Sequence, residues 1–488
     1  MHHIIIFYYR VLFIKISGGL MNFKASKIAV PDDNPFLNDK LDSRTNVHNL
    51  SVLLENLSSP LTISINSPWG SGKSTFIEML NANIKSTHCN TVFFSAWHTD
   101  FAGDPLLAFL GEINEQINHL VSDDPIKHKA WDIAKKAGAH LIKRALPSTL
   151  KIATAGLLDL NEFVEEEIAE SAKSFSSDLI DKYTQDKEQI EIFKKNISEL
   201  INNPDGTGKL YIFIDELDRC RPTYAIELLE RIKHLFDIEG LIFILAMDKN
   251  QLSHSVKSIY GSNFDSIGYL RRFIDIEYQL PQPNINLFID GLYKEFDFDG
   301  FFSSRNSYEA FRYDWSHLSN VIKLIAKNLE LSLRDIEFIF AKINLVLRSI
   351  EERKYFFPAI TAFLIITKEY KNDVYSRYVN KNSSADEIIE YLYGIVPENI
   401  RHSDNFFECA LIEAHLLNAK NAQNSSAVSA HIERHKKIIG ENVYGSKIRA
   451  YSDSVIHIYE RPAHDYGVTI SIDKISSRIS LLESFIFK

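Results

Sequence analysis

The run SPWGSGKSTF, residues 67–76, sets Gly70 and Gly72 just ahead of Lys73, Ser74 and Thr75. That spacing suits a loop that holds phosphate, because successive backbone N–H groups turn inward on the anion and the following helix presents its positive end to the same charge. Gly70, Ser71, Gly72, Lys73, Ser74 and Thr75 are therefore the candidate nucleotide-binding residues. Lys73 would reach the β- and γ-phosphates as a catalytic point charge, and the Ser74 hydroxyl would hold magnesium. Ser67 departs from the pattern G-x-x-x-x-G-K-[ST], which begins with glycine. The first glycine eases the turn out of the preceding strand, whereas phosphate is held by Gly70 to Thr75, so the substitution is expected to alter the turn more than the chemistry.

Magnesium needs a second hard oxygen partner, and YIFIDELDRC (211–220) offers one at the end of an apolar run. Asp215 is the candidate metal residue, acting on the ion or its bound water, and Glu216 the candidate that positions and polarises an attacking water. Asp218 and Arg219 complete a charged cluster. A further apolar run ends in LAMDKNQL (245–252), where Asp248 either senses the γ-phosphate or caps the next helix. Arg271 and Arg272 either neutralise transition-state charge, in this chain or a neighbour, or form a solvated pair.

Such groups need a strand, a loop and a helix in that order. LTISIN (61–66), bounded by Pro60 and Pro68, reads as the strand; KSTFIEMLNANIK (73–85), with Phe76, Ile77, Leu80 and Ile84 at helical spacing, reads as the helix. TVFFSAW (91–97), KLYIFIDE (209–216), GLIFILAMD (240–248) and FIDIEYQL (273–280) are further strands, the first three nearly continuous apolar runs of the kind covered by helices on both faces. From Phe101 to Asn203 the spacing turns helical, which predicts an insertion. Its most apolar part, 140–160, is interrupted by Lys143, Arg144, Pro147, Lys151 and Asp159, so no membrane span is expected, and a helix packed inside the protein is preferred to peripheral membrane contact. Helical patterns dominate again from residue 286; 419–430 reads as a loop, and 467–488 as a strand and a helix.

The chain has 488 residues, 45% apolar and 24% charged, the balance of a folded soluble protein of two or three packed units. The expected divisions are an extension at 1–30, a core at 31–285 with its insertion at about 101–204, a lid-like helical region at 286–350 and a mostly helical domain at 351–488. A formal charge of −10 gives no general attraction to a nucleic-acid backbone, and no sequence-specific nucleic-acid binding is expected. Cys89, Cys220 and Cys409 lie too far apart for a disulfide framework or a metal clip, which points to a reducing cytoplasm. HIERH (431–435) has its glutamate one position late for a zinc-protease helix and reads as an exposed face. The first 21 residues, broken by Arg10 and Lys15, are too short to span a bilayer and lack a cleavage site; Met21 offers an alternative start that would leave the first twenty outside the fold.

Together, SPWGSGKST, FFSAW, YIFIDELDRCRP, FILAMDKNQL and YLRRFIDIEYQLPQP resemble the KAP family of P-loop NTPases over most of 31–285, with LSLRDIEFIF (331–340) a looser match. The resemblance implies an α/β fold: a P-loop core of the additional-strand type with a parallel sheet, a large helical insertion and a helical C-terminal region. In that class an extra strand stands between the phosphate-loop strand and the Walker B strand, with which the position of TVFFSAW between Lys73 and Asp215 agrees. The resemblance also implies ATP and Mg2+ as ligands, and no guanine-specifying N-K-x-D string follows the core strands. It makes Arg334, in SLRD, a second sensor; Trp97 matches a family position and is read as core packing. Many members carry transmembrane helices in the insertion, where this chain has no convincing span. Bacterial members are often linked to phage exclusion, so the implied function is a magnesium-dependent ATPase that works as a nucleotide-driven switch in phage defence. The implied partners are an unidentified protein, other defence proteins among the candidates, and further copies of the chain. The alternative is a nucleotide-gated scaffold with little or no hydrolysis; a motor on nucleic acid is a third reading, opposed by the acidic balance.

Overall fold

A computed structural model describes residues 27–87, 89–143, 178–202, 208–306, 309–350, 356–423, 425–441, 443–461 and 469–482. They form two compact units, Ile28–Pro283 and Asn284–Lys488.

The first unit is built on five parallel strands: β1 (Leu61–Asn66), β2 (Asn90–Ser95), β3 (Leu210–Asp215), β4 (Leu241–Met247) and β5 (Ile276–Gln279), in the order β2-β3-β4-β1-β5. Alternation along the strands divides the core in two. Tyr211 and Phe213 of β3, with Ile242, Ile244 and Ala246 of β4, face the helices α1 (Arg44–Asn56) and α2 (Lys73–Ser86). Their neighbours Leu210, Ile212, Ile214, Leu241, Phe243 and Leu245 face the opposite layer. That layer contains α3 (Pro105–Leu120), α4 (Pro125–Lys143), α5 (Asp178–Ile201), α6 (Pro222–Leu235) and α7 (Lys249–Tyr260), with the short α8 (Ser266–Leu270) leading to β5. Every residue of β3 and β4 is buried, as their unbroken apolar runs predict.

Two details differ from the sequence reading. The strand that stands between β1, which leads into the candidate phosphate loop, and β3, which ends at Asp215, is β4; β2, although it lies between them in sequence, is at the outer edge of the described sheet beyond β3. For the same reason β2 is only partly covered, with four of its six residues half-buried. The segment 144–177, which contains most of the apolar stretch 140–160, lies outside the described residues, and among those described no helix is long and apolar enough to cross a membrane.

The second unit is helical: α9 (Ile285–Glu295), α10 (Phe298–Asn306), α11 (Asp314–Asn328), α12 (Leu333–Arg348), α13 (Pro358–Tyr370), α14 (Asn372–Val379), α15 (Asp386–Ile395), α16 (Glu398–Arg401), α17 (Phe407–Asn421), α18 (Ser429–Gly440), α19 (Ser446–Glu460) and α20 (Ile472–Leu481). Its start is organised around a buried ion pair, Arg305 to Asp314, with the Arg305 guanidinium also 4.2 Å from the Phe311 ring centre. HIERH is not an exposed face. His435 is buried, and its ring nitrogens lie 2.9 Å from a Glu413 oxygen and 3.0 Å from the Ser452 hydroxyl. Tyr393 and Tyr451 also donate to Glu413, which is fully buried, so α17, α18 and α19 close around a satisfied polar cluster. Of the strand and helix expected at 467–488, the described residues show the helix α20 and no strand.

Candidate functional site

β1 leads into the loop 67–72, and α2 begins at Lys73. Gly70 and Gly72 have φ of 77° and 87°, a left-handed backbone that a side chain would strain by about 1–2 kcal/mol. The two glycines are thus required by geometry. Ser67 is different, since it is not among the four non-glycine residues with positive φ in the described chain, Asp42, Glu216, Asp297 and Glu330. Its N–H extends the β1–β4 ladder to the Met247 carbonyl (3.3 Å), and its own carbonyl accepts from Lys73 Nζ at 2.7 Å. Both are backbone functions, which serine supplies as well as glycine does.

Lys73 is buried, and desolvation pulls its ammonium below the usual lysine range against the opposing fields of Asp218, Asp248 and Asp215. The β3 end brings those acids to it. Asp215 is 5% exposed, and its Oδ1 accepts from the Glu216 N–H at 2.8 Å; burial pushes its carboxyl up to about 6 against the opposing pull of the Ser74 hydroxyl. Asp218 joins three segments: it accepts from the Trp69 indole of the phosphate loop and from the Asp248 N–H (2.9 Å), and it lies 3.9 Å from Lys73 Nζ. Asp248 is the N-cap of α7, its side chain accepting from the N–H groups of Asn250 (3.0 Å) and Gln251 (3.2 Å).

Glu216 follows in the left-handed region, with φ 62°. Both of its carboxylate oxygens are engaged: Ser95 Oγ donates to Oε2 at 2.9 Å, and the Arg219 guanidinium binds Oε1. Arg219 also lies against the ring of Trp97, 5.7 Å from its centre. Trp97 is 48% exposed, so the core-packing reading is corrected: it stands on a surface turn just after β2.

The structure therefore gathers Lys73, Ser74, Asp215 and Asp248 at the C-terminal ends of β1, β3 and β4, with Asp218 as a hub that sequence reasoning noticed without assigning a role. Trp69 and Ser95 were missed; their contacts span 149 and 121 residues of sequence, which no local pattern displays. Arg271 and Arg272 are exposed at the end of α8, and Arg334 is exposed in the first turn of α12, in the other unit. None of these three arginines forms a salt bridge with an acid among the described residues.

The residues fit a nucleotide with magnesium. The two left-handed glycines shape a turn that runs straight into a helix N-terminus, the arrangement that points amides at an anion. Among the described residues no group of three or more His, Cys, Asp or Glu forms a metal cage, and the candidate donors here would be one hydroxyl and one carboxylate. Magnesium, which keeps several waters and takes phosphate oxygens, uses such a partial set.

The sequence pattern of the KAP family P-loop domain matches residues 45–357. A curated relative, the phage T7 exclusion protein of Escherichia coli (strain K12), is 23% identical over 247 residues; the match takes in 48% of this chain and 32% of that protein, so the chain spans about a third of its length. Among solved structures, the Aeropyrum pernix ORC2 protein in ADPNP–ADP complexes aligns over 91% of this chain and 94% of its own at 11% identity, with a TM-score of 0.30, too slight a likeness to bear on function. With nearly two thirds of its length matched by the family pattern, and with the order of strands that such a core requires, the chain belongs to the KAP family of P-loop NTPases.

Proposed function

We propose that the protein binds ATP with magnesium, hydrolyses it, and uses the cycle as a conformational switch in excluding phage. The observation that carries this reading is the convergence of Lys73, Ser74, Asp215 and Glu216 at one end of the sheet. The amides of Gly70 to Thr75 would hold the phosphates, with Lys73 on the β- and γ-groups, while Ser74 and Asp215 would hold the ion. Magnesium supplies charge neutralisation on the phosphate oxygens. Glu216 would orient a water and take up its proton while the water oxygen bonds to the γ-phosphorus and the bond to the β–γ bridging oxygen breaks, releasing ADP and phosphate. Asp248 acts first as a helix cap; a role in sensing the γ-phosphate, like roles for Arg271, Arg272 and Arg334 in meeting transition-state charge, is part of the proposal.

Lys73→Ala should abolish ATP binding, and Glu216→Gln should keep binding but stop phosphate release. Equal phosphate release by wild type and Glu216→Gln would sink the role given to Glu216. Family membership and the phage-exclusion relative support the biological role. Its test is the plating efficiency of phage on cells carrying wild type or Lys73→Ala, where protection should depend on Lys73. One observation favours a second reading, a nucleotide-gated scaffold that hydrolyses slowly: both oxygens of Glu216 are already engaged. Tight ATP binding without phosphate release, with or without partner, would select it.

A further inference from the structure

Glu216 is held in a way that the hydrolytic reading does not require. Its backbone is in the left-handed region, which costs a non-glycine residue about 1–2 kcal/mol, and such strain persists only where surrounding contacts enforce it. The contacts that hold its carboxylate lie on one side. In the sheet, β3 has β2 on one flank and β4, then β1 with its phosphate loop, on the other. Ser95 ends β2 in register with Asp215, and its hydroxyl draws the Glu216 carboxylate toward β2, away from the strand that carries the loop. Asp215, one residue earlier, instead lies beside Ser74 and Lys73 on the loop side, both of which oppose the rise in its pKa. Adjacent acids at one strand end thus face opposite ways.

The second contact is charge-assisted. Arg219, three residues on in the same turn, binds the other oxygen of Glu216, and its guanidinium rests on the half-exposed Trp97. We propose that Ser95 and Arg219, the latter braced by Trp97, form a latch that holds Glu216 turned toward β2, and that turnover requires the latch to open. Ser95, Arg219 and Trp97 are positioning residues in this scheme, and Trp97 makes the latch reachable from the surface. The proposal rests on the hydrolytic reading above and names how that site is restrained.

Two measurements on the full chain test it, the first without nucleotide. Thermal unfolding of wild type, Ser95→Ala, Glu216→Ala and the double variant should form a non-additive cycle, the second substitution lowering Tm far less than it does alone, because both remove the same bond. Additive Tm shifts overturn the latch. In the second measurement, steady-state phosphate release, Ser95→Ala should raise kcat about tenfold, the scale of one lost hydrogen bond to a charged group, with KM unchanged. Ser95→Thr, which keeps the hydroxyl, should stay near wild type. Trp97→Ala, a surface change that leaves the sheet intact, should raise kcat by a smaller factor. If wild type is active and Glu216→Gln silent, yet Ser95→Ala is unchanged or slower, the latch is overturned and the hydrolytic reading stands. If wild type and Ser95→Ala bind ATP and neither releases phosphate, the hydrolytic reading is lost and the latch goes with it.

Discussion

Asp215 carries a cost in the folded protein that its proposed task explains. Burial lifts its carboxyl to about 6 against an ordinary value of 3.8, so keeping it ionised at neutral pH destabilises the nucleotide-free fold by about 3 kcal/mol. Between about pH 4 and 6 the folded state binds more protons than the unfolded one, so this cost diminishes as pH falls through that window and is gone below the unfolded value. Asp215→Asn should therefore raise the Tm of the nucleotide-free protein at pH 7.5, with the gain vanishing toward pH 4, and the same variant should lose magnesium-dependent ATP binding. Thermal melts across pH give the check: a gain that is flat with pH means that buried charge is not the cause. The residues proposed to hold phosphate and metal stand out in the sequence because backbone chemistry fixes them locally: the left-handed turns at Gly70 and Gly72 demand glycine, and an acid at a strand end needs only the strand before it. Asp218, Ser95 and Trp69 were not legible in their roles, since each acts through a neighbour brought near only by the fold.

At the level of elements, apolar runs located every strand of the sheet, but not its edges. TVFFSAW reads like a covered strand because Val92 and Phe94 face the core; that β2 has no neighbour beyond it among the described strands is a property of strand order, which the run itself does not encode. The helical unit shows the opposite limit, with polar residues in apolar surroundings. His435, at helical spacing from His431, looked like surface, yet Glu413 and Ser452 satisfy it from two other helices. The Arg305–Asp314 pair is the energetically sharper case, because both side chains are almost fully enclosed. Asp314→Ala leaves a buried guanidinium without its carboxylate and should cost about 3–5 kcal/mol, whereas replacing both residues with apolar ones of similar volume should recover most of that loss. Denaturant titration of the single and double variants decides it. A double variant as unstable as Asp314→Ala would mean that the site is held by shape rather than by charge.

For the whole molecule, the boundary at Pro283 and the family match to residue 357 pull in different directions. The family pattern takes in α9 to α12 together with the sheet, as though the helices belonged to the nucleotide machinery. The packing divides them: both apolar cores of the sheet, and Gly70 to Thr75, Asp215, Glu216, Asp218 and Asp248, all lie within Ile28–Pro283. If phosphate and metal are held entirely by that unit, residues 28–283 expressed alone should melt cooperatively and bind ATP with magnesium within about threefold of the full chain's affinity, a difference under about 1 kcal/mol. Isothermal titration of fragment and full chain makes the comparison, with Lys73→Ala in the fragment as the control for binding at the loop. A folded fragment more than about tenfold weaker would show that residues beyond 283 contribute to binding itself. With equal affinities, the matched helices, Arg334 among them, are left to act after binding, on turnover or on what the bound state engages.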